Sequence, residues 1–261
     1  MLDKFKNWLN LPPARRNRPA PSPKLWACVE APMPFLAWLS EEARARLRHL
    51  CQDFLSEKEF YGARGLRLND EIMLSIAIQA CLPILNHFRG LSAYRGWVGI
   101  VVYPSDFIVP RQIMDEAGVV HQYEDILLGE AHRNGPVLLS WHDGRPPSGI
   151  NIVIHEFAHM LDEADGCPAL PPGMSAKTWK EAFTAGYERL CKLDAAGIDT
   201  ILDPYATDSP AEFFAVASEA FFETPLSLRA DFPDVYAQLS MFYGLDTANG
   251  EEKQRGTRLI S

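Results

Sequence analysis

Asn151-Ile-Val-Ile-His155-Glu156-Phe-Ala-His159-Met-Leu-Asp162-Glu163 sets two histidines and a glutamate into an apolar run, and the rest of the chain is read against it. At about 3.6 residues per turn, positions four apart stack on one helix face, so His155 and His159 offer imidazole nitrogens to one point in space. That point suits a zinc ion, and Glu156 lies close enough to reach a metal-bound water without ligating the metal. The neighbours Ile152, Val153, Ile154, Phe157, Ala158 and Leu161 leave few solvent-facing positions, so the helix is expected to be buried. Buried histidines by themselves could be satisfied core residues. A buried glutamate is costly without a partner, and a cation would serve all three side chains.

The segments before the helix have the texture of strands. Trp97-Val-Gly-Ile-Val-Val-Tyr103 is closed by Pro104, and Phe107-Ile-Val109 by Pro110. Segments within Val119 to Ala131 and Pro136 to Trp141 flank Asn134-Gly135, which favours a tight turn, and Asp143 to Gly149 reads as a loop leading into the helix. Val137 to Trp141 is a candidate free edge that could pair with an extended peptide substrate; the alternative is an ordinary internal strand.

Further toward the N-terminus the pattern is helical. Ser40 is placed to cap a helix with Ala43, Leu47, Leu50, Cys51 and Phe54 inward, and a second helix starts near Asn69 or Asp70 and runs to Leu82. His49 and His87 read as surface or packing residues. Residues 1–26 end in a Pro- and Arg-rich run that should be extended, and 245–261 is a polar tail whose composition favours disorder. After the histidine helix, Gly166 to Gly173 breaks the pattern, and a helix from about Ala176 to Lys192 carries Trp179, Phe183, Tyr187 and Leu190 on one face.

Composition narrows the function classes. A net charge of −9 argues against a nucleic-acid surface, since such surfaces need clustered Lys and Arg. Five widely spaced cysteines with no C-x-x-C pair suggest neither a disulfide framework nor a thiolate zinc site, and point to the reducing cytoplasm. No apolar run reaches membrane-spanning length, and no signal-peptide pattern opens the chain.

Two histidines leave a zinc site short of a third protein ligand. The best source is the segment Tyr205 to Glu219, in which Ser209 reads as N-cap and Pro210 as the first helical residue. Glu212 falls in the first turn, where a capping box with Ser209 competes for its carboxylate. Glu219 is the rival seven residues on, on the same face, and Glu223 a weaker third. Spacing alone does not decide between Glu212 and Glu219.

The paired motifs His155-Glu-Phe-Ala-His159-x-Leu-Asp162 and Tyr205-Ala-x-x-Ser-x-Ala-Glu212-x-Phe-Ala-Val-x-Ser-Glu219-x-Phe-Phe222 resemble the bacterial Mlc titration factor A family of zinc peptidases, over roughly Leu47 to Phe242. The second half is also similar to the metalloprotease domain of anthrax lethal factor, through Tyr-x6-Glu-Phe-Phe-Ala. The resemblance implies zinc ligands His155, His159 and Glu212, a general base Glu156, and Tyr205 as the hydroxyl that stabilises the oxyanion. Asp162 and Glu219 are candidates to orient a ligand imidazole, with a surface charge as the alternative for Asp162.

The expected fold is α+β, mainly helical, with a zincin-like (gluzincin) core and a small sheet beside the H-E-x-x-H helix. Residues 27–90 form a helical layer and 91–244 the catalytic region. The expected function is zinc-dependent peptide hydrolysis, of the aminopeptidase kind that the resemblance implies, with a single zinc ion and a peptide substrate. The alternative is a regulatory protein that sequesters a transcriptional repressor, as the same family does with Mlc, with weak or conditional peptidase activity.

Overall fold

Caps and apolar spacing account for most of the helices. In the computed structural model, which describes residues 20–97, 99–105, 107–114, 120–127, 129–131, 135–141, 151–162 and 166–258, Ser40 caps α2 (Glu41–Glu57). Its Oγ accepts from the Ala43 amide, and Ala43, Leu47, Cys51 and Phe54 turn inward. Asn69 caps α3 (Asp70–Cys81) in the same way, through the Ile72 amide. The arm before residue 20, the Asn134 turn position and the loop at 143–149 lie outside the described residues.

The N-terminal boundary differs from the expected one. Pro23–Glu30 form a helix, α1, capped by Ser22, so the last residues assigned to the extended arm are helical. Trp26 explains the difference: it is buried against the rest of the molecule, and tertiary burial of a large ring offsets the ordering cost that its proline-rich neighbourhood suggests.

The helical entry layer is not a separate block. Directly after α2, Glu59–Gly62 form a strand, β1, parallel to β2 (Gly99–Tyr103). Phe60 and Tyr61 are both buried, and a four-residue strand is too short for its periodicity to stand out in sequence. The sheet continues from β2 to β6 (Val137–Ser140), again parallel, and from β6 to β5 (Gly129–Ala131), antiparallel, giving the order β1-β2-β6-β5. Val137–Trp141 is therefore no free edge. Its strand is paired on both sides, its four residues are all buried, and β5 takes the outer position. Between β2 and β5 in the chain, β3 (Phe107–Met114) and β4 (Val120–Leu127) pair with each other as a separate antiparallel ribbon, so the expected pairing of a segment within Val119–Ala131 with Pro136–Trp141 is made by β5 and β6.

Two helices carry the candidate site, and each is anchored from behind by aromatic rings. Phe157 of α4 (Ile152–Leu161) is fully buried, with ring centroids at 5.0 Å from Tyr94 and 5.7 Å from both Phe54 and Trp97. The α4 helix is thus held on the N-terminal layer through Phe54 and on Tyr94 and Trp97 just after it. On α6 (Pro210–Glu223), Phe213 and Phe214 pack against Phe183 and Trp179 of α5 (Ala176–Ala195). Phe222 packs against Tyr243 of α8 (Pro233–Tyr243), which follows the short α7 (Pro225–Asp231). Burying one such ring contributes about 1.5–3 kcal/mol, so each of the two helices is held firmly on its own support.

The polar C-terminus departs from expectation as well. Thr247–Arg258 form α9. Asp246 Oδ1 accepts from the Tyr236 hydroxyl at 2.8 Å and the Asn249 amide at 3.1 Å, while the Tyr236 oxygen accepts from the Ala248 amide at 2.9 Å. Gly250 lies so close to Trp38 that a Cβ there would meet the tryptophan side chain at 2.9 Å. A weakly helical sequence is ordered here by a tertiary cap and by packing on the N-terminal layer. Among the described residues no helix is long and apolar enough to cross a membrane.

Candidate metal centre

The first turn of α4 begins at Asn151, whose Oδ1 accepts from the Ile154 amide at 3.0 Å. One turn on, His155 and Glu156 are buried, and His159 follows half-buried at the exposed end of the same face. The second helix starts at Ser209, whose Oγ caps the Glu212 amide at 3.1 Å. The reciprocal half of a capping box would turn the Glu212 carboxylate back to Ser209; it goes to the histidines instead.

Three side chains converge. Glu212 Oε2 lies 3.1 Å from His155 Nε2 and 3.3 Å from His159 Nε2, and the two Nε2 atoms are 3.1 Å apart. Among the described residues, His155, His159 and Glu212 form the group of ligand atoms placed to hold a metal ion. Glu219, the rival from the same helix face, lies on the other side of the imidazole: its Oε1 is 2.7 Å from His155 Nδ1, and its Oε2 accepts from the Asn151 amide at 2.6 Å. Glu223 accepts from Asn151 Nδ2 at 2.7 Å. The three candidate carboxylates thus take three different tasks along one helix.

The electrostatics follow from this crowding. Burial by itself would drive His155 toward its neutral form, but the carboxylates of Glu212 and Glu219 outweigh it and hold the imidazole up to about 10. Burial likewise opposes ionisation of Glu212, and the two imidazoles overcome it, pulling the carboxyl down to about 2. Glu223 is pushed up, by burial first and by the neighbouring Glu219. The His155 ring is therefore held in its protonated form between the two carboxylates.

Tyr205 is carried by a 3-10 turn (Pro204–Thr207) that packs on the start of α6, and Asp203 Oδ1 accepts from its amide at 2.9 Å. Its ring is half exposed, with a centroid 6.1 Å from that of His155. Asp162, a candidate to orient an imidazole, accepts from the Gly166 and Cys167 amides at 2.7 and 3.0 Å and so shapes the turn after α4. That turn fits tightly on α6: Gly166 has φ +79°, and a Cβ on it would come within 2.7 Å of the Pro210 carbonyl oxygen. Asn151 carried no functional reading in the sequence. Its position as N-cap residue was the available signal, and its links to α6 depend on how the two helices meet.

The chain belongs to the glucose-regulated metallo-peptidase M90 family, whose model matches residues 7–244. It is a metallopeptidase by family, and the family implies a metal. Mlc titration factor A of Pectobacterium atrosepticum is 37% identical over 224 residues, covering 82% of this chain and 83% of that protein. The Mlc titration factor A of Cronobacter sakazakii is 33% identical over 235 residues, 86% of this chain and 87% of that protein. An uncharacterized protein of Synechocystis is 36% identical over 238 residues, with 87% and 86% covered.

Proposed function

We propose that the protein is a zinc-dependent peptidase with His155, His159 and Glu212 as metal ligands, Glu156 as general base and Tyr205 as the donor to the oxyanion. The observation that carries this is the spacing of the three ligand atoms, 3.1, 3.1 and 3.3 Å. Ligand atoms on a tetrahedral zinc, at bonds near 2.1 Å, are roughly 3.4 Å apart, and a His-His-Glu set leaves a fourth position for water or substrate. On this reading β2, β5 and β6 of the sheet form a zincin-like core with α4 and α6 within 91–244, and 27–90 is the supporting layer that adds β1 to the sheet.

When bound, zinc supplies a Lewis acid that acidifies a water and polarises the scissile carbonyl. Glu156, one residue from His155 and 3% exposed, takes the proton from the attacking water and passes it to the leaving amine. The Tyr205 hydroxyl donates to the charge that develops on the carbonyl oxygen of the transition state. Glu219 accepts from His155 Nδ1, which leaves the Nε2 lone pair aimed at the centre of the trio. The substrate is a peptide, with aminopeptidase action the finer form of the reading. Five free cysteines suit a reducing, cytoplasmic home.

A second reading rests on the relatives' name, Mlc titration factor A. The chain would then act by sequestering a transcriptional repressor, with hydrolysis weak or conditional. One experiment addresses both: metal content, cleavage of free and N-blocked peptides, and pull-down of an Mlc-type repressor, on wild type and Glu156→Gln. Zinc in both proteins with cleavage by the wild type only supports the peptidase. Repressor capture by both proteins, with cleavage by neither, favours the second reading. Absence of metal from both after zinc is supplied sinks the metal centre.

A further inference from the structure

Asn151 is 1% exposed and uses its backbone and both ends of its side chain at once. Its carbonyl accepts from the His155 amide at 2.9 Å, and its Oδ1 accepts from the Ile154 amide, so it starts the helix on which His155 sits. Its own amide donates to Glu219, and its Nδ2 donates to Glu223. Glu219 and Glu223 are four residues apart on α6 and face the same way, an arrangement in which like charges repel. Asn151 stands between them and gives one N–H to each. Glu219 then spends one oxygen on Asn151 and the other on His155 Nδ1.

We infer that Asn151 is a positioning residue for the metal centre: by holding Glu219 and Glu223 apart with one donor each, it fixes the Glu219 oxygen that orients His155. The inference rests on the metal-site reading above for its effect on metal, and on hydrogen bonding alone for its effect on His155. The role differs from capping. An aspartate caps a helix N-terminus as well as an asparagine does, but it has no side-chain N–H for Glu223 and would add a third carboxylate to the pair. Serine would cap without offering Glu223 an amide.

The test uses the full-length protein in four forms: wild type, Asn151→Asp, Glu223→Gln, and the double variant N151D/E223Q. The double variant exchanges donor and acceptor across the same contact at unchanged net charge. Two readouts are taken. In metal-free protein, 15N-labelled at histidine, the Nδ1 proton held between His155 and Glu219 gives a protected signal. In protein given cobalt or zinc, the dissociation constant comes from chelator competition.

The expected result is loss or marked broadening of the His155 Nδ1 signal in Asn151→Asp, with metal affinity weakened about 10- to 100-fold. Both should return to near wild type in the double variant, and helix content should be similar throughout. An Asn151→Asp protein with the wild-type signal and affinity would overturn the inference, leaving Asn151 as a cap only. A double variant no better than Asn151→Asp would also overturn it, because the amide–carboxylate contact would not be the operative one. If the wild type binds no metal, the metal-site reading fails, while the metal-free signal still decides the role of Asn151.

Discussion

Glu219 and His155 meet at 2.7 Å through Oε1 and Nδ1, on the side of the imidazole away from Glu212. One ring is thus gripped by two carboxylates of the same helix, seven residues apart. The outer carboxylate sets which nitrogen keeps a proton, and so which nitrogen is free to bind a cation.

Glu219→Gln should weaken metal binding without removing it. Both partners of Glu219 donate hydrogen, and a glutamine offers one acceptor and one donor, so one of the two bonds is lost. We expect an affinity loss of about 10- to 100-fold, read by chelator competition, and a larger loss for Glu212→Gln. The reverse ranking would mean that the two glutamates exchange roles.

The pH dependence of the metal-free protein has a definite sign. The folded value of His155, about 10, lies above the unfolded value of roughly 6.5. The stability it contributes is therefore complete below about pH 6.5 and lost as pH rises toward about 10. Thermal unfolding of metal-free protein should move to lower temperature across that window, while metal-loaded protein should be nearly flat because the cation replaces the proton. Metal affinity should rise with pH, roughly tenfold per unit where one proton is displaced. A metal-free protein that gains stability from neutral to alkaline pH would contradict the arrangement.

Tyr205→Phe should lower kcat by about 100- to 1,000-fold if the hydroxyl serves the oxyanion. Metal content should not change, since the ring stands beside the proposed ligands, its centroid 6.1 Å from that of His155, and is half exposed. Unchanged peptide turnover in the variant would remove Tyr205 from the chemistry.

Gly166→Ala should act at a distance. The added methyl would need to displace the Pro210 carbonyl, two residues before Glu212, and the backbone would carry a side chain at φ +79°. We expect a destabilisation of about 1–3 kcal/mol in chemical unfolding, together with weaker metal binding. Normal stability with normal affinity would show that the turn after α4 is free to move without disturbing Glu212.

The local features of the site were legible because they depend on short-range geometry. The four-residue spacing of His155 and His159, the caps at Ser40 and Ser209, the helix start near Asn69 or Asp70, and the inward faces of α2 and α5 all follow from helix periodicity and orphan amides. Where the reading departed from the structure, the controlling contact was remote in sequence. Phe60 and Tyr61 become a strand because Gly99–Tyr103 pairs with them; the C-terminal helix forms because Tyr236 and Trp38 receive it. Val137–Ser140, for which the sequence left a free edge and an internal strand both open, is internal because Gly129–Ala131 covers its outer side.

The choice among the glutamates marks the same division. Helix periodicity places Glu212, Glu219 and Glu223 along one side of α6, and nothing within that helix says which of them reaches a histidine nitrogen. The packing of α4 on α6, with the Phe157 cluster behind one helix and the Phe213 and Phe214 contacts behind the other, gives His155 Nε2 to Glu212, His155 Nδ1 and the Asn151 backbone amide to Glu219, and Asn151 Nδ2 to Glu223. The sequence by itself determined which residues share a helix face. Only the tertiary structure decided which atom each one meets, because that depends on the packing of two aromatic-backed helices rather than on the period of either.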